Sequence, residues 1–478
     1  MNEGWSTEDE QRRRFVRIRW VIVLILMAAM VVSMIDRFAL AALLEPIRKD
    51  LHIPDSGLGL LGGVSFGLFY AFLGVPLGVL ADRWSRTGTI MLGVSVWCLA
   101  TAACSFATSF SILLAVRIFV GAGEAALAPA SYSLIHDIFP PTQLARAMSV
   151  FQLGAVLGAG VAFMTIGVIY TPLLEGAAAS LPIVGSLQPW QQTFLVVALP
   201  GIVLLPLLAT IPEPARGIRA AFRSSVPAQS AGPHSVEAIT PPSTAAVEPT
   251  GLAGAFATNP RFYLLLFTAM SGILTVNYAL LSWMPSVMVR EFQRSVAGAG
   301  TIYGMLVLIA SGAGLLFGGW LGDYLHARDR HAGYCWVPLA SSAIVLPLVF
   351  TLSWCDKWIS LLVILSVIHF ATGLPIGAVP ALIQLRTSRS ARSRVSSVYV
   401  LVINLFGLGV GPAIVGFLAQ GTARVSGLRI AVAELGTACA IVAVCASVVL
   451  LVTSWRGTSA ARITAMPGLK VQDEHTIS

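Results

Sequence analysis

Residues 78–87 read GVLADRWSRT and residues 319–323 read GWLGD. Each stretch closes a long apolar run and ends it on an aspartate. Gly78-Val-Leu-Ala-Asp82 and Gly319-Trp-Leu-Gly-Asp323 lie 241 residues apart. The same offset carries Asp36, inside the first apolar run, onto Asn277, inside the seventh. A 478-residue chain that repeats its landmarks at half its length reads as two copies of one architecture.

Composition says where that architecture sits. The chain is 56% hydrophobic and only 11% charged, against roughly 25% charged in soluble domains. Apolar runs of about 20 residues, each able to cross a hydrocarbon core of roughly 30 Å, recur along the sequence. The expected fold is an all-α membrane protein of twelve transmembrane helices in two six-helix pseudo-repeats. The spans are read at 17–46, 57–81, 88–108, 109–137, 144–170 and 190–211, then 259–290, 297–322, 333–354, 356–386, 393–420 and 427–455. The expected organisation is a cytoplasmic segment 1–16, a six-helix bundle 17–211, a flexible cytoplasmic linker 212–258, a second bundle 259–455 and a cytoplasmic tail 456–478. The linker is rich in Pro, Ala, Ser and Thr, a composition that builds no core.

Charge gives orientation. With the N-terminus inside, 21 arginines and lysines fall in loops on the cytoplasmic side and 7 on the other. Such an excess marks the cytoplasmic face, so both termini and the linker are expected there. It also accounts for the net charge of +8 without nucleic acid as a partner. The apolar run at the N-terminus is of spanning length rather than that of a signal peptide. The six cysteines, Cys98, Cys104, Cys335, Cys355, Cys439 and Cys445, form no CxxC or metal spacing and read as small buried hydrophobes. Lysine is scarce beside arginine, with Lys49, Lys357 and Lys470 the only three. That bias suggests a GC-rich bacterial genome and so a bacterial inner membrane.

The stretch GVLADRWSRT resembles the signature between helices 2 and 3 of the major facilitator superfamily, although Ser85 replaces a glycine and Thr87 a basic residue. IDRFALAALLEPIRKDL (35–51), DSGLGLLGGVSFGLFYAFLGVPLGVLADR (55–83), GAGEAALAPASYSLIHDIFPP (121–141) and INLFGLGVGP (403–412) together resemble its Spinster-like branch in bacterial form. The sequence departs from that branch at Trp190-Gln191-Gln192 and in the apolar outer loop 171–189. The resemblance implies a proton-coupled secondary transporter working by alternating access. It implies a cytoplasmic gate from Gly78, Asp82, Arg83, Arg86 and the repeat residue Asp323, where an aspartate at the membrane face pairs with arginines or a helix N-terminus of the other half. A basic inside loop without gating is the plain alternative.

Four charges stand at mid-span: Asp36 and Arg37 in the first span, Arg117 and Glu124 in the fourth. Each costs roughly 2.5–3.5 kcal/mol at mid-span on insertion scales, so each needs a partner. Arg117 and Glu124 are seven residues apart, two turns on one helix face. Gly121-Ala-Gly123-Glu-Ala-Ala126 matches GxGxxA by letter, but no strand-turn-helix surrounds it. Its small residues instead suit close helix packing, and Pro129 is expected to weaken the helix after Glu124. Two acids and two arginines sum to zero. Protonating Asp36 or Glu124 would free Arg37 or Arg117 to hold an anion in a bidentate fork; the alternative is a static paired scaffold. In the second half Asn277 replaces the acid, and His369 is the ionisable group deep in the tenth span, as a relay or as hydrogen-bonded packing. Tyr278, Trp283 and Asn404 are further candidates to line the cavity. This asymmetry suggests an amphipathic substrate of lysolipid or sphingoid-phosphate type. A proton symporter of carboxylates or sugar acids is the rival within transport, and a non-transporting receptor or scaffold the rival outside it. An enzyme is not expected, since HExxH and clustered His/Asp sets are missing. The expected partners are substrate and bilayer, the expected functional unit a monomer, and no cofactor is expected beyond the coupling proton.

Overall fold

The protein is described from a computed structural model. It covers residues 4–139, 141–176, 182–213, 252–329, 332–387, 392–420 and 427–464. The linker residues 214–251 and the tail from 465 lie outside the described residues.

Among the described residues, twelve helices are long and apolar enough to cross a membrane. They are α1 (Arg17–Leu51), α2 (Asp55–Ala81), α3 (Arg86–Cys104), α4 (Phe110–Ile138), α5 (Ala147–Leu174) and α6 (Pro189–Ala209) in the first half. The second half holds α7 (Pro260–Arg290), α8 (Val296–Arg328), α9 (Gly333–Trp354), α10 (Trp358–Arg386), α11 (Val395–Gln420) and α12 (Gly427–Ser454). An even number of crossings puts both ends of the chain on one face, called here the terminal side; the other is the far side. Helical geometry runs unbroken from Gly4 into α1, so the polar N-terminal residues extend the first helix. The expected end of span 1 at 46 moves out to Leu51, because Pro46 sits inside the helix without ending it.

Among the described residues, three helices depart from regular geometry within their length rather than at their ends, each where small residues cluster. α4 is interrupted between Glu124 and Leu127, as expected from Pro129, whose nitrogen has no hydrogen to give the Ala125 carbonyl. α2 contains a π-helical turn at Leu60–Val64 and α11 another at Leu405–Val410. Both lie in glycine-rich sequence and face each other across the two halves.

The halves meet tightly at the far side. Gly59, Gly63 and Gly67 recur every four residues along α2 and so share one face. A Cβ on Gly63 would lie 2.5 Å from the Gly409 carbonyl oxygen, and one on Gly67 2.5 Å from the Gly409 Cα. A second seam joins α5 to α8, where a Cβ on Gly160 would meet Leu308 and one on Gly304 the Gly160 carbonyl, each at 2.6 Å. Lipid gives apolar side chains no reason to leave it, so helix association rests on such close backbone approach.

The seams do not reach the terminal side. Gly74 on α2 meets nothing, and Gly78 meets only Pro129 of its own half. One apolar core joins the first half to the far part of the second, through residues such as Phe163, Trp283 and Tyr303. The terminal part of the second half, around Tyr263, Tyr334, Leu382 and Tyr399, forms a separate core. The two bundles are therefore sealed at one end and parted at the other.

Gly62 and Gly63 test this seam side by side. Gly63→Ala should destabilise the protein by about 1–3 kcal/mol, the usual cost of overpacking. Gly62→Ala, whose Cβ meets nothing within 4 Å, should be close to neutral. Melting temperatures in detergent check the contrast.

Candidate functional site

The four deep charges come together. α1 presents Ser33, Asp36 and Arg37 at helical spacing, one face of one turn. α4 brings Arg117 and Glu124, α3 brings Thr101, and α2 brings Phe66 and Tyr70. Glycines allow the approach. A Cβ on Gly121 would lie 2.7 Å from the Phe66 carbonyl oxygen, and one on Gly123 2.7 Å from the Trp97 nitrogen. The GAG stretch thus draws α4 against both α2 and α3.

The ion pair forms across helices rather than along α4. The Arg37 Nη2 and Nε donate to Glu124 Oε2 at 2.8 and 3.1 Å, and the Ser33 hydroxyl donates to the same oxygen at 2.9 Å. The Arg37 guanidinium also lies over the Phe66 and Tyr70 rings, 4.7 and 4.8 Å from their centroids. Asp36 Oδ1 accepts from the Thr101 hydroxyl at 2.6 Å. The Arg117 guanidinium lies over the same Phe66 ring, 5.3 Å from its centroid. No quartet residue is more than 7% exposed, so none faces lipid. The network is incomplete. Glu124 Oε1, Asp36 Oδ2, and Arg117 Nε and Nη1 are buried without a hydrogen-bond partner among the described residues.

The second half reaches this cluster through Tyr278, which is placed against Arg37. Its neighbour Asn277 accepts from the Thr372 hydroxyl at 3.2 Å. His369 is fully buried, its Nε2 3.0 Å from the Tyr303 hydroxyl, and Tyr303 stands edge-on to Phe163 of the first half. Trp283 is 1% exposed and donates its indole N–H to the Pro412 carbonyl, which places it in packing at the α7–α11 contact. The Asn404 amide returns to the Val400 carbonyl of its own helix.

Of the expected gate residues, the Asp82 side chain lies outside the described residues, and Arg83 is exposed. Arg86 is buried and turns within its own half. It binds the Ser133 hydroxyl and pairs with Asp137 and, at 3.9 Å, with Glu213. Asp323 accepts from the Tyr334 hydroxyl, also of its own half. Glu213 caps α3: its carboxylate accepts from the Ser85 hydroxyl at 2.8 Å and from the Arg86 and Thr87 amides at 3.2 and 3.1 Å. Burial opposes its ionisation, but these donors and the Arg86 charge outweigh it and hold the carboxyl below the ordinary range.

Sequence reasoning counted Arg290 as a loop charge and missed its role in the fold. It leaves α7 and forks onto Asp55 of α2 at 2.8 and 2.9 Å while its Nε binds Glu45 of α1. This clamp sits beside the glycine seam and ties the two halves at the far side. Glu45 keeps a second partner, Arg48, at 2.9 Å. The signal was present in the acids at 45 and 55, which close one span and open the next. Phe66, Tyr70, Thr101 and Ser33 were also missed, because aromatic and hydroxyl residues in apolar spans carry no pattern of their own.

Twelve described helices in two bundles, parted at one end around a buried charge cluster, have the architecture of a membrane transporter. The chain belongs to the Major Facilitator Superfamily, whose family profile matches residues 26–412. It is therefore a transporter and not an enzyme. A hexuronate transporter of Bacillus subtilis is 27% identical over 432 residues, 86% of this chain and 91% of that protein. The spinster protein of Drosophila melanogaster is 25% identical over 319 residues, 65% of this chain and 47% of that protein. Among solved structures, a bacterial homologue of the human lysosomal transporter Spinster, in an inward-facing and unoccupied conformation, superposes with a TM-score of 0.74. That likeness covers 92% of this chain and 98% of the other at 23% identity, and it concerns the fold.

Two outcomes follow from the geometry. Arg37→Met should cost about 3–5 kcal/mol by stranding the Glu124 charge. The double variant Arg37→Met/Glu124→Gln should recover most of that loss in melting temperature. Glu213 should stabilise the terminal side at neutral pH, because its folded pKa lies below the unfolded value of about 4.3. That contribution is present above the unfolded value and fades as pH falls through the folded one. Melting curves on acidification should show this loss in the wild type and a smaller one in Glu213→Gln.

Proposed function

We propose that this transporter is a proton-coupled secondary carrier that moves an amphipathic organic anion of lysolipid or sphingoid-phosphate type. One observation carries the reading: a single buried cluster holds two carboxylate oxygens and two guanidinium nitrogens without hydrogen-bond partners among the described residues. Unsatisfied polar groups at that depth are costly, and a proton on an acid together with an anion on an arginine satisfies them. The proton goes to Glu124 or Asp36. Neutral Glu124 releases Arg37, and Arg37 or Arg117 then takes the anion in a bidentate fork. Loss of the proton restores the Arg37–Glu124 pair and expels the anion. Tyr278 brings the second half to the same guanidinium, while that half's remaining surface receives the apolar tail. His369 serves as packing with Tyr303.

With basic loops toward the cytoplasm, both termini lie inside and the sealed far side is outside, an inward-facing arrangement; on this reading the carrier sits in a bacterial inner membrane and works as a monomer. Gly78, Asp82, Arg83, Arg86 and Asp323 then form the cytoplasmic gate of the opposite state. A second reading has its own support: the hexuronate relative, similar over nearly its full length, favours symport of a small organic anion.

Proteoliposomes with an imposed pH gradient test both. Uptake should be pH-driven in the wild type. Glu124→Gln and Asp36→Asn should each lower it at least about tenfold, the weight of one charged hydrogen bond of about 1.5–3 kcal/mol, and flatten its pH profile. Unchanged pH profiles in both variants would defeat proton coupling. Competition by lysophospholipid supports the amphipathic substrate; competition by a sugar acid alone supports the second reading.

A further inference from the structure

A groove of about 200 Å³ opens on the outer surface of the first bundle at the terminal side. It is lined by Arg17, Ile18, Val21, Ile22 and Ile25 of α1 and by Thr210, Ile211 and Pro212 at the end of α6. Ile18, Val21 or Ile22, and Ile25 recur at three- and four-residue spacing, so they form one stripe along α1. Ile22 and Ile211 are buried and make its floor, while Ile18 and Val21 are 42% and 52% exposed and make its wall. The apolar stripe begins at Arg17, and the exposed Thr210 and Pro212 stand across from it. This is separate from the deep charge cluster at Ser33–Arg37, which begins eight residues beyond Ile25, about two helical turns further along α1.

We infer that this groove holds an anionic phospholipid of the terminal-side leaflet, its phosphate on Arg17 and the upper part of an acyl chain along Ile18, Val21 and Ile25. Charge complementarity carries the choice. Arg17 is exposed, and its guanidinium has no hydrogen bond or ion pair among the described residues. Three more arginines, Arg12, Arg13 and Arg14, precede it in the same helix. A juxtamembrane basic run attracts anionic headgroups at about 1 kcal/mol per residue. The charges packed nearby do not cancel it. Glu213, next in sequence to Pro212, is turned onto the N-terminus of α3. Arg19 faces inward, over the Phe139 ring and onto the Ile138 carbonyl. A zwitterionic lipid would fill the same apolar stripe but bring a second cation to an already basic rim.

The experiment uses the full-length protein in detergent with phosphatidylglycerol or phosphatidylcholine added, reading bound lipid by native mass spectrometry and melting temperature in parallel. The wild type should retain phosphatidylglycerol preferentially and melt higher with it. Arg17→Gln should weaken that preference about fivefold, the weight of one basic residue at an anionic surface, and Arg17→Lys should keep it. Val21→Trp, which fills the groove from an exposed position, should reduce retention of the lipid without changing the melting temperature in its absence. Glycerol phosphate, which has the headgroup chemistry and no chain, should not raise the melting temperature. Equal retention of the two lipids by the wild type overturns the inference, as does undiminished phosphatidylglycerol retention in both Arg17→Gln and Val21→Trp.

Discussion

The first bundle is organised around one constraint: a full charge cannot stay in an oily interior without its opposite. Arg37 and Glu124 meet that constraint for each other across α1 and α4, with Ser33 completing the shared oxygen. Much of the local sequence follows from making that meeting possible. Gly121 and Gly123 remove the side chains that would hold α4 away from α2 and α3. Pro129 breaks the helix just past Glu124, at the one place where its carboxylate must reach sideways. The carboxylate also stands at the C-terminal end of a helical segment, where the backbone dipole is unfavourable to it, so its charge depends all the more on Arg37.

The second half carries no comparable charge among its described deep residues. It meets the first through close backbone approach and one clamp. Glycine seams join α2 to α11 and α5 to α8, and Arg290 reaches over to Glu45 and Asp55. The two devices divide the task. Dispersion between backbones holds wherever the helices touch, whereas the ion pairs favour one arrangement of the halves over another. Glu45 does not lose its last partner when Arg290 leaves, because Arg48 remains on it. The far side can therefore part without leaving that acid bare.

The fold was legible because the bilayer imposes a simple code. Span length, the repeated GVLAD and GWLGD landmarks and the scarcity of charge fix a twelve-helix plan before any packing is considered. The quartet was legible for the same reason, since charge inside an apolar run stands out. Its pairing was not. Seven-residue spacing on α4 places Arg117 and Glu124 on one face, yet Glu124 bonds Arg37, because a partner on a neighbouring helix comes within 2.8 Å whereas two turns along one helix amount to about 10 Å. Thr101 and Phe66 were invisible because their roles come from where α2 and α3 pack, which no single-helix pattern records. Arg290 was hidden by its position, at a span end where a basic residue needs no special account.

The two facing π-helical turns, Leu60–Val64 and Leu405–Val410, carry a further implication. Such a turn holds one more residue than the α-helix around it. That surplus is slack: a helix can absorb it or pass it along without losing its backbone ladder. Because both turns fall within the stretch where α2 and α11 touch, each partner has its own expansion joint at the seam. Two otherwise stiff rods thus have local give at the very place where they touch, set apart along the helices from the buried charges.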